Sequence, residues 1–514
     1  MLYLPVVSFL IALYAAIYFY SRWTRTTKLP LPPGPPGLPI LGNILDAPSN
    51  FQWKTYATWS KQYDSDVIHI RVGGQSIIGL QSLQACYDLL EKRSSDYSSR
   101  GDAPMVDLMG WENRSMVLMK YGARAHRRAF HSMFNIDAVR RFLPNQTKAT
   151  NMFLRRMLTA SSGDLANELR YMVASVVMDI TYGIEAQPEN DPYVELADRV
   201  FKETAVAGLP NAYLVNIFPS LKHVPDWMPG AGFKRYANRW KKLTARMFNA
   251  PFDETVRRMA TDPGLTSFVS LLLENARAKR DDVQEDVIKN TATLIYVGAM
   301  DTTVATLLSF TLHMLENPEV QRRAQEELDN VLEPGRLPEF GDEGRLPYVT
   351  AVVKEAMRVH PVAPMAIPHL YSGKADDMYR DFTIPKGSIF IPNIWAMAHD
   401  ETAYPTPCAF KPERFLTTGG KLDAMVQDPN TFIFGFGRRI CPGKHLGMAS
   451  VWLTIASILR VYSIEKAQRP DGGIVEPRRE YKSSLLQSPE FFECRYVPRN
   501  AEAVAIVRAT NRVG

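Results

Sequence analysis

The sequence predicts a mainly α-helical protein with small β-sheets. Three observations support this prediction: a helical apolar pattern over residues 124–360, a very long apolar stretch at 283–315, and short β-branched segments near both ends of the chain. Helices place apolar side chains every three or four residues, whereas strands alternate them. With 514 residues, 46% of them hydrophobic, the chain is long enough to enclose a large core and an internal cavity.

Charge and cysteine content exclude several classes of protein. The 60 basic and 54 acidic residues leave a net charge of +6, which is too dispersed to indicate nucleic-acid binding. The four cysteines form no close pair in the sequence, which argues against a disulfide scaffold and against a CxxC zinc site. They are Cys86, Cys408, Cys441 and Cys494.

The amino terminus predicts a transmembrane anchor. Leu2 to Tyr20 carries no charged residue, and Arg22, Arg25 and Lys28 follow at once. About 20 apolar residues suffice to cross a bilayer as a helix, and positive charge after the span predicts that the rest of the chain stays cytoplasmic. The alternative is a cleaved signal peptide, against which stand the missing basic start and the missing small-residue cleavage site. We expect residues 1–28 to form the anchor and its basic flank.

A proline-rich segment follows at 29–42 and predicts a stiff hinge. Dense prolines end a helix and hold the chain extended. The alternative is a proline-rich ligand for another domain. No comparable linker appears after Gly42, so we expect residues 43–514 to form one catalytic domain.

The later elements follow from local patterns. A hairpin is expected at Ser65–Leu80 around Gly73 and Gly74. A helix of about nine turns is expected at Val283–Leu315, with Asn317-Pro318 ending it. Strands are expected again at 382–392 and in alternating stretches of the tail at 481–508.

The sharpest chemical signal is the glycine-rich segment Phe434–Gly443, which contains Cys441 just before an apolar helical run at Leu446–Tyr462. Backbone N–H groups at a helix start stabilise a thiolate and lower the thiol pKa. Gly437 and Gly443 permit close approach to a flat ligand. Phe434 offers an apolar plate, and Arg439 offers a fork for a carboxylate. The alternative is a structural cysteine in a turn.

The spacing F-x-x-G-x-R-x-C-x-G resembles the haem-binding signature of the cytochrome P-450 family of haem-thiolate monooxygenases. The resemblance implies the cytochrome P-450 fold, with haem b between the long central helix and the cysteine loop. It makes Cys441 the iron ligand and places Phe434, Gly437, Arg439 and Gly443 against the cofactor.

A second resemblance is Glu355-Ala356-Met357-Arg358, which is similar to the family's E-x-x-R. At this spacing the two charges share one helix face. The alternative is an ordinary surface ion pair of little worth. The family buries the pair and completes it with an arginine of a P-E-R-F loop, which implies Arg414 and a structural role for all three residues.

In the long helix, Gly298-Ala299-Met300-Asp301-Thr302-Thr303 resembles the oxygen-activation motif A-G-x-D-T-T, with its first two small residues exchanged. The resemblance makes Asp301 and Thr302 the catalytic proton relay. The Thr302 hydroxyl is expected to bond the carbonyl of residue 298, which loosens the helix. The alternative is a threonine merely tolerated in mid-helix.

Haem propionate partners are implied by position as well. His369 follows the E-x-x-R helix where the family places a propionate donor, and Arg127 fits the arginine of the family's W-x-x-x-R. Ala123 stands where the family has tryptophan, which puts one propionate contact in doubt.

Family geometry also implies a substrate pocket, and the side chains it places there are nearly all apolar, as is usual for pockets that take hydrophobic ligands. The pocket residues are Met105, Val106, Leu108, Met109, Trp111, Tyr296, Val297, Gly298, Val362, Ala363, Pro364, Leu486 and Gln487.

The resemblance therefore predicts a monooxygenase that uses O2 on a hydrophobic small molecule, a terpenoid or other secondary metabolite. NADPH and flavins are expected only in a separate NADPH-cytochrome reductase, for which the basic residues Arg127, Arg128, Arg438 and Lys444 are a candidate docking face. An endoplasmic reticulum membrane location with a cytoplasmic catalytic domain is expected. The alternatives are a haem-thiolate isomerase or dehydratase, and a non-catalytic haem-binding protein.

Overall fold

The computed structural model describes residues 29–39, 41–122, 124–209, 212–279 and 284–510. The predicted anchor at 1–28 and the question raised by Ala123 lie outside these residues. The chain forms two compact units. The smaller unit holds the described residues up to Gly101, with Met365–Met397 and Phe436–Arg438, and the larger unit holds the remainder.

Helices dominate, as the sequence predicts. Most of the larger ones belong to the larger unit. The α-helices are α1 Gln52–Gln62, α2 Leu83–Cys86, α3 Ser94–Tyr97, α4 Pro104–Val106, α5 Arg124–Phe134, α6 Leu143–Met157, α7 Leu165–Tyr182, α8 Pro192–Ala207, α9 Leu214–Ile217, α10 Gly232–Met259, α11 Phe268–Lys279, α12 Glu285–Glu316, α13 Pro318–Val331, α14 Pro347–Val359, α15 Ile394–Ala398, α16 Lys444–Val461 and α17 Ala501–Ala509.

Short 3₁₀ and π segments supplement them. The π segments are Tyr87–Lys92 and Asp107–Trp111, and the 3₁₀ segments are Ala138–Phe142, Pro219–His223, Phe340–Arg345, Pro412–Phe415, Pro429–Thr431 and Gly437–Arg439.

Helix α12 is the central element of the larger unit and confirms the predicted long helix. It runs for 32 residues and packs against α5, α7, α14 and α16. Among the described residues it is the one helix long and apolar enough to span a bilayer, yet 72% of its most apolar window is buried in the protein. A helix that is apolar on nearly all sides belongs in a core, and this one passes through the main hydrophobic cluster.

The predicted hairpin is confirmed. Strands β1 (Val67–Val72) and β2 (Gln75–Leu80) pair antiparallel, with Val72 opposite Gln75. Gly73 and Gly74 both have positive φ, 55° and 86°. A two-residue turn with positive φ at both positions matches the twist of the strands, and glycine adopts it without steric cost.

The hairpin begins a mixed four-stranded sheet in the smaller unit. Strands β3 (His369–Leu370) and β6 (Ile389–Pro392) complete it in the order β1-β2-β6-β3. Strands β4 (Asp377–Tyr379) and β5 (Phe382–Ile384) form a separate antiparallel pair. The predicted strand region at 382–392 is therefore divided between two sheets.

The described part of the proline-rich segment lies against this unit. Its backbone bonds to neighbouring strands, since His69 N–H donates to Pro33 O at 2.9 Å and Thr383 N–H donates to Pro30 O at 2.7 Å. A Cβ atom on Gly34 would lie 2.0 Å from His69 O, so a glycine is required for this close approach.

The tail differs in part from its prediction. Strand β8 (Cys494–Pro498) pairs with β7 (Tyr462–Lys466) and confirms the alternating stretch at 495–497. The strand prediction for the end of the tail was wrong, because residues 501–509 form α17. Asn500 caps that helix, because its side chain accepts a hydrogen bond from the Ala503 N–H at 2.8 Å. Asparagine at this position strongly favours a helix start, and the strand prediction did not take it into account.

Candidate active site

The loop before α16 presents the Cys441 side chain. Cys441 N–H donates to Phe434 O at 2.8 Å, and Gly435 N–H donates to Phe432 O at 3.0 Å. Gly435 has φ 78°, a left-handed conformation that favours glycine. The two bonds fold the loop back on itself and fix the cysteine immediately before the helix start at Lys444.

The Cys441 side chain is accessible, although the protein atoms around its sulfur remove part of the hydration that a thiolate needs. Burial raises its pKa, while the Gly443 N–H and the charges of Arg127 and Lys444 act in the opposite direction. The sequence-based prediction of a lowered thiol pKa was thus wrong in its net direction, because loss of solvent around the sulfur outweighs the predicted N–H contribution. The thiolate-stabilising groups are nevertheless assembled.

Gly437 makes a close contact within the protein that the sequence did not predict. It belongs to the smaller unit, has φ 56° and donates its N–H to Glu91 Oε1 at 2.6 Å. A Cβ atom there would lie 2.1 Å from Leu90 O. The close approach that this glycine permits is therefore to the protein backbone. At Gly443 a Cβ atom would meet only ordinary contacts, with Phe130 at 3.9 Å and Cys441 Sγ at 4.0 Å.

Arg439 is buried and held by backbone oxygens. Its Nη1 donates to Met116 O at 2.8 Å and its Nη2 to Met119 O at 2.6 Å. Burial, together with the nearby charge of Arg127, lowers the pKa of Arg439 to about 10. A negatively charged group that binds a buried arginine and a second, nearby arginine together is stabilised by both. Arg127 and Arg439 therefore suit the carboxylates of a bound cofactor.

His369 is in the smaller unit, where it is buried and has Nδ1 2.8 Å from Tyr97 O. Sequence reasoning missed its neighbour Arg100, which is also buried and donates from Nη1 to Ile367 O at 2.9 Å and to Pro368 O at 2.7 Å. No motif marks Arg100. Its contact with residues 367 and 368 depends on the fold and could not be predicted from the sequence.

The E-x-x-R prediction is confirmed as a buried charge cluster. Glu355 and Arg358 are both 0% exposed and bond twice, at 2.7 and 2.8 Å. Arg414 Nε adds a third bond to Glu355 Oε1 at 3.1 Å. Arg358 also donates to Ala398 O at 2.6 Å and Pro407 O at 2.8 Å. The cluster thus ties α14 to the segment that leads toward the cysteine loop.

The middle of α12 has one accessible face in an otherwise buried helix. Gly298 is exposed and Thr302 is half-buried, while most neighbouring residues are buried. A Cβ atom on Gly298 would meet nothing within 4 Å. The Thr302 hydroxyl donates to Gly298 O at 2.9 Å, as predicted.

Asp301 is tied to a charged partner that the sequence did not reveal. Its Oδ1 accepts from Arg170 Nη1 at 2.9 Å, and the same guanidinium also pairs with Asp198. Arg170 lies on α7, 131 residues away in sequence. Only the packing of α7 on α12 brings this pair together.

The predicted pocket residues have varied environments. Met105, Val106, Met109 and Trp111 are buried in the main hydrophobic cluster. Trp111 Nε1 donates to Thr204 Oγ1 at 2.8 Å, so this indole is held against α8.

Other predicted pocket residues lie along α12 and the tail. Gln487 N–H donates to Val362 O at 2.6 Å, which brings the tail turn to the segment after α14. Tyr296 and Val297 are buried, and Leu108, Ala363 and Leu486 are half-buried, whereas Pro364 is buried.

These residues fit a haem. A thiol supported by an N–H group and two cations supplies a soft thiolate ligand for iron. The exposed, small-residue face of α12 at Gly298 leaves open space. Arg439, which is buried, and Arg127, which is half-buried, suit the propionates of a haem.

Comparison with known proteins agrees with this fit. The family model described as Cytochrome P-450 matches residues 32–491. Cytochrome P-450 monooxygenase 98 of Postia placenta is 42% identical over 502 residues, covering 97% of this chain and 96% of the relative. Cytochrome P-450 monooxygenase ple1 of Rhodocybe pseudopiperita is 41% identical, with 98% and 96% covered. Tryptamine 4-monooxygenase of Psilocybe cyanescens is 39% identical, with 96% and 98% covered.

Replacing Glu355 tests the charge cluster. Glu355→Gln is expected to lower the free energy of unfolding by about 3–5 kcal/mol, because it leaves a buried guanidinium without a counter-charge. Urea denaturation of the haem-loaded chain measures this loss. The matched control is Glu326→Gln, which removes an exposed helical pair with Arg322 and is expected to cost at most about 0.5 kcal/mol. Equal losses in the two variants would contradict the role given to the buried cluster.

Proposed function

Since the chain belongs to the cytochrome P-450 family of haem-containing monooxygenases, we propose that it inserts one oxygen atom of O2 into a hydrophobic small molecule. The observation that carries the proposal is the thiol of Cys441 beside Arg127 and the Gly443 N–H. Haem b, the family cofactor, supplies when bound the iron centre at which O2 is activated. The protein groups then determine what else reaches that centre.

Cys441 holds the iron in this proposal. The Gly443 N–H and the charges of Arg127 and Lys444 stabilise the negative sulfur and so offset the cost of burying a thiolate. Arg127 and Arg439 bind propionates, and we assign His369 the same role. Phe434 covers the ligand loop, with Lys444 Nζ lying 5.7 Å from its ring centroid.

Thr302 and Asp301 are proposed to transfer the protons that the reduction of O2 requires. The Thr302 hydroxyl already donates to a backbone oxygen, which leaves its lone pairs able to accept a proton from a neighbour. The ion pair with Arg170 restricts rotation of the Asp301 side chain. Retention of both groups favours oxygen insertion over a haem-thiolate isomerase, dehydratase or carrier, none of which needs protons delivered to O2.

The substrate is proposed to be a terpenoid or another hydrophobic secondary metabolite. The support is the apolar character of the pocket residues and the monooxygenase names of the fungal relatives. A relative named for tryptamine adds an aromatic amine to the candidates. Metabolite profiling of a host that expresses the chain and a reductase, fed terpenoids and tryptamine, tests this. Products from tryptamine alone would replace the terpenoid assignment.

Electrons are proposed to come from an NADPH-dependent reductase at an endoplasmic reticulum membrane. The support for the membrane location is the apolar run at 2–20 with its basic flank. Deleting residues 1–28 is expected to move the protein to the soluble fraction after centrifugation, because about 20 apolar residues are removed from the bilayer. Persistent sedimentation with membranes would place the anchor elsewhere.

Removing the cysteine tests the cofactor assignment. Cys441→Ala is expected to abolish the thiolate band in the spectrum of the reduced, carbon monoxide-bound protein, because no other sulfur is assigned to the iron. Cys408→Ala, which removes another accessible cysteine, is the control and is expected to keep the band. A thiolate band in Cys441→Ala would overturn the assignment.

Removing the Thr302 hydroxyl tests the proton role. Thr302→Ala is expected to lower product formation by about tenfold or more, while NADPH is still consumed and its electrons reduce O2 to hydrogen peroxide. The ratio of product to NADPH, measured with added reductase, reports this. Thr291→Ala is the control, since Thr291 makes the same kind of bond to the preceding turn, to Val287 O at 2.6 Å. Unchanged coupling in Thr302→Ala would exclude the role.

A further inference from the structure

A row of polar side chains runs along one face of α12 toward its C-terminal end. Its members recur every three or four residues in a helix that is otherwise largely apolar. They are Thr302, Thr306, Ser309, His313 and Glu316. At about 100° per residue, this spacing keeps all five within an arc of roughly 80°. We call this set, together with Tyr481 opposite Ser309, the polar row.

Several polar atoms of the row are buried with few or no hydrogen-bonding partners among the described residues. Both ring nitrogens of His313 have none, and Ser309 Oγ and the Tyr481 hydroxyl have none other than each other. His313 is 6% exposed and Ser309 is 1% exposed. Burial raises the pKa of Tyr481, and the facing Ser309 hydroxyl acts against that rise. Leaving a buried polar group unpaired costs about 1–3 kcal/mol, so such groups usually bind ordered water.

Stacked rings fix the orientation of His313. Its ring centroid lies 4.6 Å from that of Phe410 and 5.3 Å from that of His360, and all three rings are nearly parallel. His360 in turn stacks on Tyr481 at 3.8 Å. Because both faces of the His313 ring are covered, its two nitrogens point outward from the edges of the stack. That geometry suits hydrogen bonds to small molecules such as water.

The spacing of the row also suits water. Successive members are three or four residues apart, which is about 4.5–6 Å along the helix axis. One water that bridges two polar atoms spans about 5.6 Å, from two hydrogen bonds of about 2.8 Å. The length of one bridging water therefore matches the axial spacing of neighbouring members.

The outer end of the row reaches solvent. Glu316 pairs with Arg479 Nε at 2.5 Å, and the Arg479 side chain is 77% exposed. The inner end is the Thr302 hydroxyl. Thr306 lies between the two ends, one turn from Thr302, and its hydroxyl donates to the Thr302 backbone oxygen at 2.9 Å, which leaves the Thr306 oxygen free to accept from a water.

We propose that the polar row is a water-filled proton path from solvent at Glu316 to Thr302. The proposal rests on the proposed function, because monooxygenation consumes protons: RH + O2 + 2 electrons + 2 H⁺ gives ROH + H2O, with NADPH and the reductase as electron source. Each transfer breaks one O–H or N–H bond and forms another on the next group. After one proton enters and one leaves, the row holds the same number of protons, with its O–H bonds reversed and the His313 proton on the other ring nitrogen; rotation of the hydroxyls and waters and a return proton exchange at His313 through water reset it.

His313 suits such a path because it stays neutral. Burial, with smaller contributions from Arg358 and Arg479, lowers the pKa of His313 to about 3. A neutral imidazole has one N–H donor and one acceptor nitrogen, so it passes a proton without retaining it. The Asp301–Arg170–Asp198 network lies about 100° away around the helix axis and approaches Thr302 from a different side.

The first test is crystallographic and needs no turnover. A high-resolution structure of the haem-loaded full chain is expected to show ordered waters bonded to Ser309 Oγ and to His313. A dry row would overturn the proposal.

The second test measures O2 uptake with NADPH, excess reductase and 7-ethoxycoumarin, in H2O and in D2O. Ser309→Ala and His313→Phe are expected to slow uptake by about tenfold and to raise the solvent isotope effect about twofold, with an unchanged thiolate band. His313→Phe keeps the ring stack, so a purely structural role predicts no change in the isotope effect.

The matched control is Thr311→Val on the opposite face of α12, where the hydroxyl lies 2.7 Å from Tyr496 Oη. It is expected to keep the isotope effect of the unmodified chain. Wild-type uptake and isotope effect in both row variants would overturn the path. If the unmodified chain shows no thiolate band or no NADPH-dependent O2 uptake, the proposed function is refuted. The crystallographic search for ordered waters tests the polar row independently of that result.

Discussion

The buried pair of Glu355 and Arg358 is the interaction on which the larger unit depends. Neither side chain is exposed, and a buried charge is tolerated only with a partner and a full set of hydrogen bonds. Arg358 obtains its remaining bonds from the carbonyls of Ala398 and Pro407. The charge requirement of one helix thus dictates the path of a segment that has no regular structure of its own. That segment continues into the loop that carries Cys441.

A second constraint acts on α12, which must be apolar enough for the core and polar enough for chemistry. The two requirements are met on different sides of the helix axis. Its apolar residues face the surrounding helices, and its hydroxyl groups bond back to the preceding turn, as Thr302 and Thr306 do. Such bonds satisfy the donors without a tertiary partner. The hydroxyl oxygens keep their capacity to accept hydrogen bonds, on the face of Thr302 and Thr306 and also on the opposite face at Thr311.

The electrostatics of the site come from burial more than from any single contact. Burial raises the pKa of Cys441 and lowers that of Arg439, so each group is held in an environment that disfavours its charged form. A ligand of opposite charge would stabilise the charged form of each group: an iron cation for the sulfur and a carboxylate for the guanidinium.

Elements with local signals could be predicted from the residues alone. The hairpin at Gly73-Gly74, the long helix α12, the Glu355–Arg358 spacing and the Thr302 back-bond each depend on residues within one or two turns. Cys441 was also identified from its loop, because glycine, arginine and cysteine at fixed spacing are rare together. Which distant groups meet depends on the folded chain. Arg170 beside Asp301, Arg439 against Met116 and Met119, and Tyr481 opposite Ser309 join residues more than a hundred positions apart. No periodicity along the chain records such contacts, since they depend on how helices pack, and the same packing set the balance of burial and charge that raised the pKa of Cys441.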